Sequence, residues 1–208
     1  MDGAGAVSGD VTIIESENGF NPTTAFKKKD YFGGAVVGLG DLNGDFIEDI
    51  AVGAPLNDET DRDAGAIFIL LMDTNGMVKD HAKILAEDVG AEKKDNFGVS
   101  IANVGDVDSD GVTDLVVGAH LDDDGETDAG AAYVVFLNSH GSLKASQKIS
   151  LTSGNLPVGT IDKKHYFGRS ASGVGDINGD NVPDVIIGAP NSDQGLTDAG
   201  SAHILFLN

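Results

Sequence analysis

A nine-residue acidic phrase occurs three times in this 208-residue chain, and it constrains the fold more than any other feature. The copies are Asp41–Asp49 (DLNGDFIED), Asp106–Asp114 (DVDSDGVTD) and Asp176–Asp184 (DINGDNVPD). Each puts oxygen-bearing side chains at positions 1, 3, 5 and 9: Asp41, Asn43, Asp45 and Asp49; Asp106, Asp108, Asp110 and Asp114; Asp176, Asn178, Asp180 and Asp184. Alternate residues at the start of a tight loop converge on one point, and a hard cation such as calcium takes about six to eight oxygen ligands. Position 7 is apolar in every copy (Ile47, Val112, Val182) and adds a backbone carbonyl. Clustered carboxylates repel one another without a cation. The spacing therefore predicts three calcium sites. Magnesium fits less well, because it demands stricter octahedral geometry.

The loop is not an EF-hand, which needs a bidentate Glu at position 12 and a helix after it. Position 12 is Val52, Val117 or Ile187, within Asp-Ile-Ala-Val-Gly, Asp-Leu-Val-Val-Gly and Asp-Val-Ile-Ile-Gly. Short β-branched runs ending in Gly read as buried strands. Position 6 asks for a left-handed backbone: Gly111 favours it, Asn181 tolerates it and Phe46 does not. The expected order of affinity is therefore middle, third, first.

The repeat extends beyond the loops. Tyr31-Phe32-Gly33, Asn96-Phe97-Gly98 and Tyr166-Phe167-Gly168 precede them. Gly53-Ala54-Pro55, Gly118-Ala119-His120 and Gly188-Ala189-Pro190 follow, and then Asp63-Ala64-Gly65, Asp128-Ala129-Gly130 and Asp198-Ala199-Gly200. These residues resemble the FG-GAP repeat of integrin α-subunits and related bacterial surface proteins, with His120 and Phe46 as departures. The resemblance implies an all-β fold, a β-propeller of four-stranded FG-GAP blades with the cation held in a hairpin loop.

The expected strands are Phe32–Gly40, Phe97–Gly105 and Phe167–Gly175; Asp49–Ala54, Asp114–Ala119 and Asp184–Ala189; Ala66–Leu71, Ala131–Leu137 and Ser201–Leu207. A fourth strand is expected at about Ala82–Ala86 and Gln147–Leu151. Repeats 1, 2 and 3 then span about 30–90, 95–152 and 165–208. The third repeat has no fourth strand of its own. Ile14–Gly33 aligns with Ile149–Gly168, so residues 7–15, centred on Val11–Ile14, are expected to complete a terminal blade by strand exchange. Propellers have about four to eight blades, and an open arc leaves edges unpaired. Three blades per chain therefore point to a homodimer closing a six-blade ring, or to part of a longer propeller.

The formal charge of −21 argues against binding nucleic acid or an anionic membrane. There is no Cys, so no disulfide, and no apolar stretch suited to membrane insertion. The opening Met1-Asp2-Gly3-Ala4-Gly5 lacks the basic start and apolar core of a signal peptide. Loops of modest calcium affinity fill best outside cells, which points to an extracellular or cell-surface place. His81, His120, His140, His165 and His203 show no metal-site spacing, and there is no nucleophile elbow. The reading is a non-enzymatic, calcium-stabilised interaction or adhesion module with a protein or glycan ligand. Two alternatives are a lectin of the same fold, disfavoured by the absence of Trp, and a self-assembling or engineered partial propeller without an external ligand. The acidic loops Leu56–Asp63, Leu121–Asp128 and Asn191–Asp198 either face a partner, or Asp63, Asp128 and Asp198 only cap the turn before the third strand; the second is expected.

Overall fold

The structure is a computed structural model that describes residues 9–15, 17–21, 27–194 and 196–208. Three antiparallel meanders follow one another. The first sheet is β1 (Ala35–Gly40), β2 (Asp49–Ala54), β3 (Ala66–Met72) and β4 (Val78–Leu85), followed by the short helix α1 (Ala86–Val89). The second is β5 (Ser100–Gly105), β6 (Asp114–Ala119), β7 (Ala131–Leu137) and β8 (Leu143–Ile149). The third has three strands, β9 (Ser170–Gly175), β10 (Asp184–Ala189) and β11 (Ser201–Leu205).

The register repeats from sheet to sheet. Ala35 faces Gly53, Ser100 faces Gly118 and Ser170 faces Gly188. Each first strand ends with a register shift next to Gly40, Gly105 or Gly175, all at positive φ. A glycine bulge of this kind bends the strand and aims the following loop.

The central strands are buried on both faces, as their continuous apolar runs demand. In β3, Ile67, Ile69 and Leu71 pack towards the second sheet with Phe97, Leu115, Val117 and Tyr133. Phe68, Leu70 and Met72 point the other way. Val116 and Val134 pack instead against Phe167, Val185 and Ile187 of the third sheet. One sheet therefore supplies a layer to each neighbour, and the second sheet lies between the first and the third.

The Phe-Gly and Asp-Ala-Gly phrases lock adjacent sheets together. Phe97 forms a parallel bridge to Gly65, and Phe167 one to Gly130. The Phe97 amide donates to the Ala64 carbonyl at 2.9 Å, and the Phe167 amide to the Ala129 carbonyl at 3.0 Å. Residues 31–34, 96–99 and 166–169 are thus spent on a turn and on this inter-sheet contact. The first strands consequently begin three residues later than expected.

Two further expectations are corrected. The fourth strands start earlier, at Val78 and Leu143, because alternating polar and apolar residues suit a strand at the outer edge of a sheet. The N-terminal segment does not complete a blade in this chain: residues 7 and 8 lie outside the described residues, and 9–15 form no strand. Val11 instead lies beside the Gly76 turn, and the Val78 amide donates to the Asn18 carbonyl at 2.8 Å. Phe20 is fully buried against Phe32 and Phe68, with ring centroids 5.3 and 5.7 Å away. The segment covers the free face of the first sheet, while β11 belongs to the third.

Candidate metal centre

Each acidic loop joins the first and second strands of its sheet, and its side chains first organise its own backbone. The Asp41 carboxylate accepts the amides of Gly44, Asp45 and Phe46 at 2.7, 2.9 and 2.8 Å. Asp176 does the same for Gly179, Asp180 and Asn181 at 2.6, 3.1 and 2.9 Å. Asp106 accepts Asp110 and Gly111 at 3.0 and 2.8 Å. Position 5 holds the amide of position 7 in every copy: Asp45 to Ile47, Asp110 to Val112, Asp180 to Val182. Asn43 and Asn178 each accept the amide two residues on, both at 2.9 Å. These side-chain turns wind the loop round a common centre.

Position 9 is different. Asp49, Asp114 and Asp184 are fully buried. Their Oδ2 atoms accept the amides of Leu42, Val107 and Ile177 at 3.1, 2.9 and 2.9 Å. Their Oδ1 atoms accept those of Met72, Leu137 and Leu207 at 2.9, 3.1 and 3.1 Å. Each carboxylate thus ties the loop to the end of the third strand. Burial raises the pKa of Asp49 and Asp114, and the two amide hydrogen bonds to each only partly oppose it. A cation beside them would relieve that cost.

In the middle loop, carboxylate oxygens of Asp106, Asp108 and Asp114 all lie within 4.8 Å of one another. The other loops carry Asn at position 3, so they bring fewer charges together. A cation of the protein's own lies on two of the loops. Lys144 Nζ is 2.7 Å from Asp108 Oδ2 and also contacts Asp110 Oδ2, and Lys79 Nζ is 2.9 Å from Asp45 Oδ2. These ammonium groups hold Asp110 and Asp45 below the usual carboxylate range. An all-oxygen donor set that already seats a cation fits a hard divalent ion.

Position 6 has positive φ in all three loops: 68° at Phe46, 87° at Gly111 and 71° at Asn181. Phe46 accepts the strain with its ring 96% exposed. Position 4 is also left-handed, at Gly44, Ser109 and Gly179. The strain missing from Gly111 therefore reappears at Ser109, which weakens the argument for the middle loop as the best site. Neither position 4 nor the two lysines stood out in the sequence. The equal placement of Lys79 and Lys144 in their repeats was the available signal.

At the other end of the second sheet, Asp95 and Asp122 form a buried carboxyl pair beside a cavity of about 290 Å³. Asp122 Oδ2 accepts the Tyr133 hydroxyl and the Lys148 ammonium, both at 2.9 Å. Asp95 accepts the Glu92 amide at 2.7 Å. Burial, helped by the Asp122 charge, pushes Asp95 up to about 7. The first sheet solves the same problem with an amide, Asn57 donating to Asp30 at 3.0 Å. The folded state holds the extra proton between the unfolded carboxylate pKa, near 4, and about 7. Stability should therefore fall as pH rises through that window. Asp122→Asn should flatten part of that fall, because it removes the Asp122 charge but leaves the burial that is the larger cause. Urea denaturation at pH 5 and pH 8 checks this; an equal wild-type pH slope in the variant contradicts it.

The acidic loops at this same end are closed by their own side chains. Asp58, Asp123 and Asp193 accept the amides of Asp63, Asp128 and Asp198 at 2.6, 2.8 and 2.7 Å. Asp63 and Asp128 pass their carbonyls to Asn96 and Tyr166 of the next sheet. The capping expected of Asp63, Asp128 and Asp198 comes from other side chains, those of Asp58, Asp123 and Asp193, which accept their amides.

Meander sheets stacked through Phe-Gly contacts, with an acidic hairpin loop at one end of each, define propeller-type blades. Residues 32–70 and 167–205 match the FG-GAP repeat, and a second FG-GAP repeat description matches residues 78–136. The chain belongs to the FG-GAP repeat family. Integrin alpha-PS5 of Drosophila melanogaster is 35% identical over 165 residues, 79% of this chain and 15% of that protein. Integrin alpha-2 of Bos taurus is 34% identical over 187 residues, 88% of this chain and 14% of the relative. Integrin alpha-4 of Xenopus laevis is 35% identical over 167 residues, with coverages of 80% and 15%. The chain therefore spans only about one seventh of the length of these relatives. No helix among the described residues is long and apolar enough to cross a membrane.

Proposed function

We propose that this chain is a calcium-binding propeller segment acting as an extracellular or cell-surface interaction module without catalysis of its own. The observation that carries this reading is the shared loop geometry, an all-oxygen donor set repeated in three sheets and most highly charged at Asp106, Asp108 and Asp114. Similarity to integrin alpha chains supports an adhesion-type role. Calcium would be held by the side chains at positions 1, 3 and 5, the carbonyl of position 7 and the buried carboxylate of position 9. Its contribution would be rigidity, because an ion that binds only the folded loop stabilises the fold.

Scanning calorimetry in calcium and in chelator tests this. At a calcium concentration about 100 times the dissociation constant, each site should add on the order of 2.7 kcal/mol. The Asp106→Ala, Asp110→Ala double variant should lose most of the middle site's increment. In chelator it should cost only about 1 kcal/mol, from the exposed amides that Asp106 accepts. Equal losses in both media would show that these residues do not act through a metal.

The open faces support a homodimer that closes a six-blade ring. Ile204 of β11 is 47% exposed, and among the described residues no strand pairs with the outer edge of β11. Residues 9–15 form no strand, and pairing with β11 of a second copy would require Val11 and Ile13 to leave the first sheet, against which they pack. Light scattering in calcium and chelator reads the mass; a monomer in both overturns the ring.

A further inference from the structure

We propose that Lys144 and Lys79 are tethered competitor cations that set the divalent-ion affinity of their loops. This rests on the reading of the loops as calcium sites. Each lysine is the second residue of an outer strand, β8 or β4, and 65 residues separate them, the same interval as Phe32 to Phe97. The repeat therefore delivers an ammonium to the same place twice. The oxygens it meets are the ones a metal would need. Asp110 Oδ1 and Asp45 Oδ1 are committed to the amides of Val112 and Ile47, which leaves Oδ2 of each for a cation. Lys144 contacts Oδ2 of both Asp108 and Asp110, and Lys79 contacts Oδ2 of Asp45.

Two cations on the same oxygen atoms repel at short range. A divalent ion entering the loop must therefore displace the ammonium, and affinity falls by what that displacement costs. In return, the loop stays neutralised and folded when no metal is bound. The penalty is graded: Lys144 holds two carboxylates and Lys79 one. The loop richest in aspartate thus carries the stronger built-in competitor, so the affinities of the sites are levelled. Among the described residues no lysine is paired with the third loop.

Each loop carries a glycine whose amide reports on it alone: Gly44, Gly111 and Gly179. Calcium titration of the ¹⁵N-labelled full chain by NMR therefore reads the three affinities separately. Lys144→Met should tighten binding at Gly111 on the order of fivefold, the worth of an exposed ion-pair network. It should leave Gly179 unchanged and lower the melting temperature in chelator. Lys144→Arg, which keeps the charge, should stay near wild type. Lys79→Met, read at Gly44, is a second and smaller test on an independent loop. Unchanged or weaker binding at Gly111 in Lys144→Met, with the wild type binding calcium, overturns the competitor role alone. A response at Gly111 only in the variant supports it in its strongest form. No response at any loop in either protein removes the calcium reading, and the competitor role falls with it.

Discussion

Gly130→Ala is expected to destabilise the chain by about 4 kcal/mol. Gly130 has φ 87°, and a Cβ built on it would lie 2.1 Å from the Phe167 carbonyl oxygen and 2.6 Å from the Phe167 nitrogen. Both neighbours are backbone, so no side chain can rotate away. Relief requires the Phe167 segment to move outward, which opens the bridge between the second and third sheets. Phe167 itself is fully buried in the cluster with Val116, Val134 and Ile187, so that layer would be disturbed too. Gly159→Ala is the control. It has a similar φ of 82° but nothing within 4 Å of the added carbon. It should lose only the left-handed backbone penalty, about 1 kcal/mol. Urea denaturation of both variants separates strain from contact. If the two losses are equal, the inter-sheet approach is not what demands glycine at position 130.

Asp114→Ala should cost about 3 kcal/mol, and it should do so in chelator as well as in calcium. The side chain is fully buried and accepts the amides of Val107 and Leu137. Removing it strands the buried Leu137 donor and the part-buried Val107 donor, and an unsatisfied buried donor costs about 1–3 kcal/mol. Asp110→Ala should behave differently. Asp110 is exposed, holds the Val112 amide with one oxygen and meets Lys144 with the other. Its loss should matter mainly in calcium. Thermal melts of the two variants in both media form a two-by-two comparison. A small Asp114 effect in chelator would refute the clamp. Without a metal, the raised pKa of Asp114 means the folded state binds protons more readily than the unfolded one. Its ionisation therefore destabilises the metal-free fold as pH rises, and calcium should reverse that slope.

The second strands were legible to the residue, Asp49–Ala54, Asp114–Ala119 and Asp184–Ala189, because a β-branched run between an acidic turn and Gly-Ala is a local signal. The third strands were nearly so. The fourth strands and the first-strand starts were misread for opposite reasons. VKDHAKIL and LKASQKI alternate like a half-exposed edge and carry no apolar run, whereas the Phe-Gly residues look like strand but serve the neighbouring sheet. The helix α1 gave no warning at four residues long. Positive φ at position 6 was readable from Gly111 and Asn181, but its twin at Ser109 was not.

The sequence alone therefore determined the repeat, the loop's donor set and the family of the fold. Those depend on residues within about nine positions of one another, where side-chain turns to nearby amides set the geometry. The tertiary structure decided what reaches those loops and what is buried beneath them. Lys144 meets Asp108 across 36 residues, Asp49 holds the Met72 amide across 23, and Phe167 sits against Gly130 in another sheet. Asp95 and Asp122 share a buried site only because the blade brings them together. Such meetings are set by strand register, sheet stacking and the loss of water on burial, and none of these is written in the spacing of a single repeat.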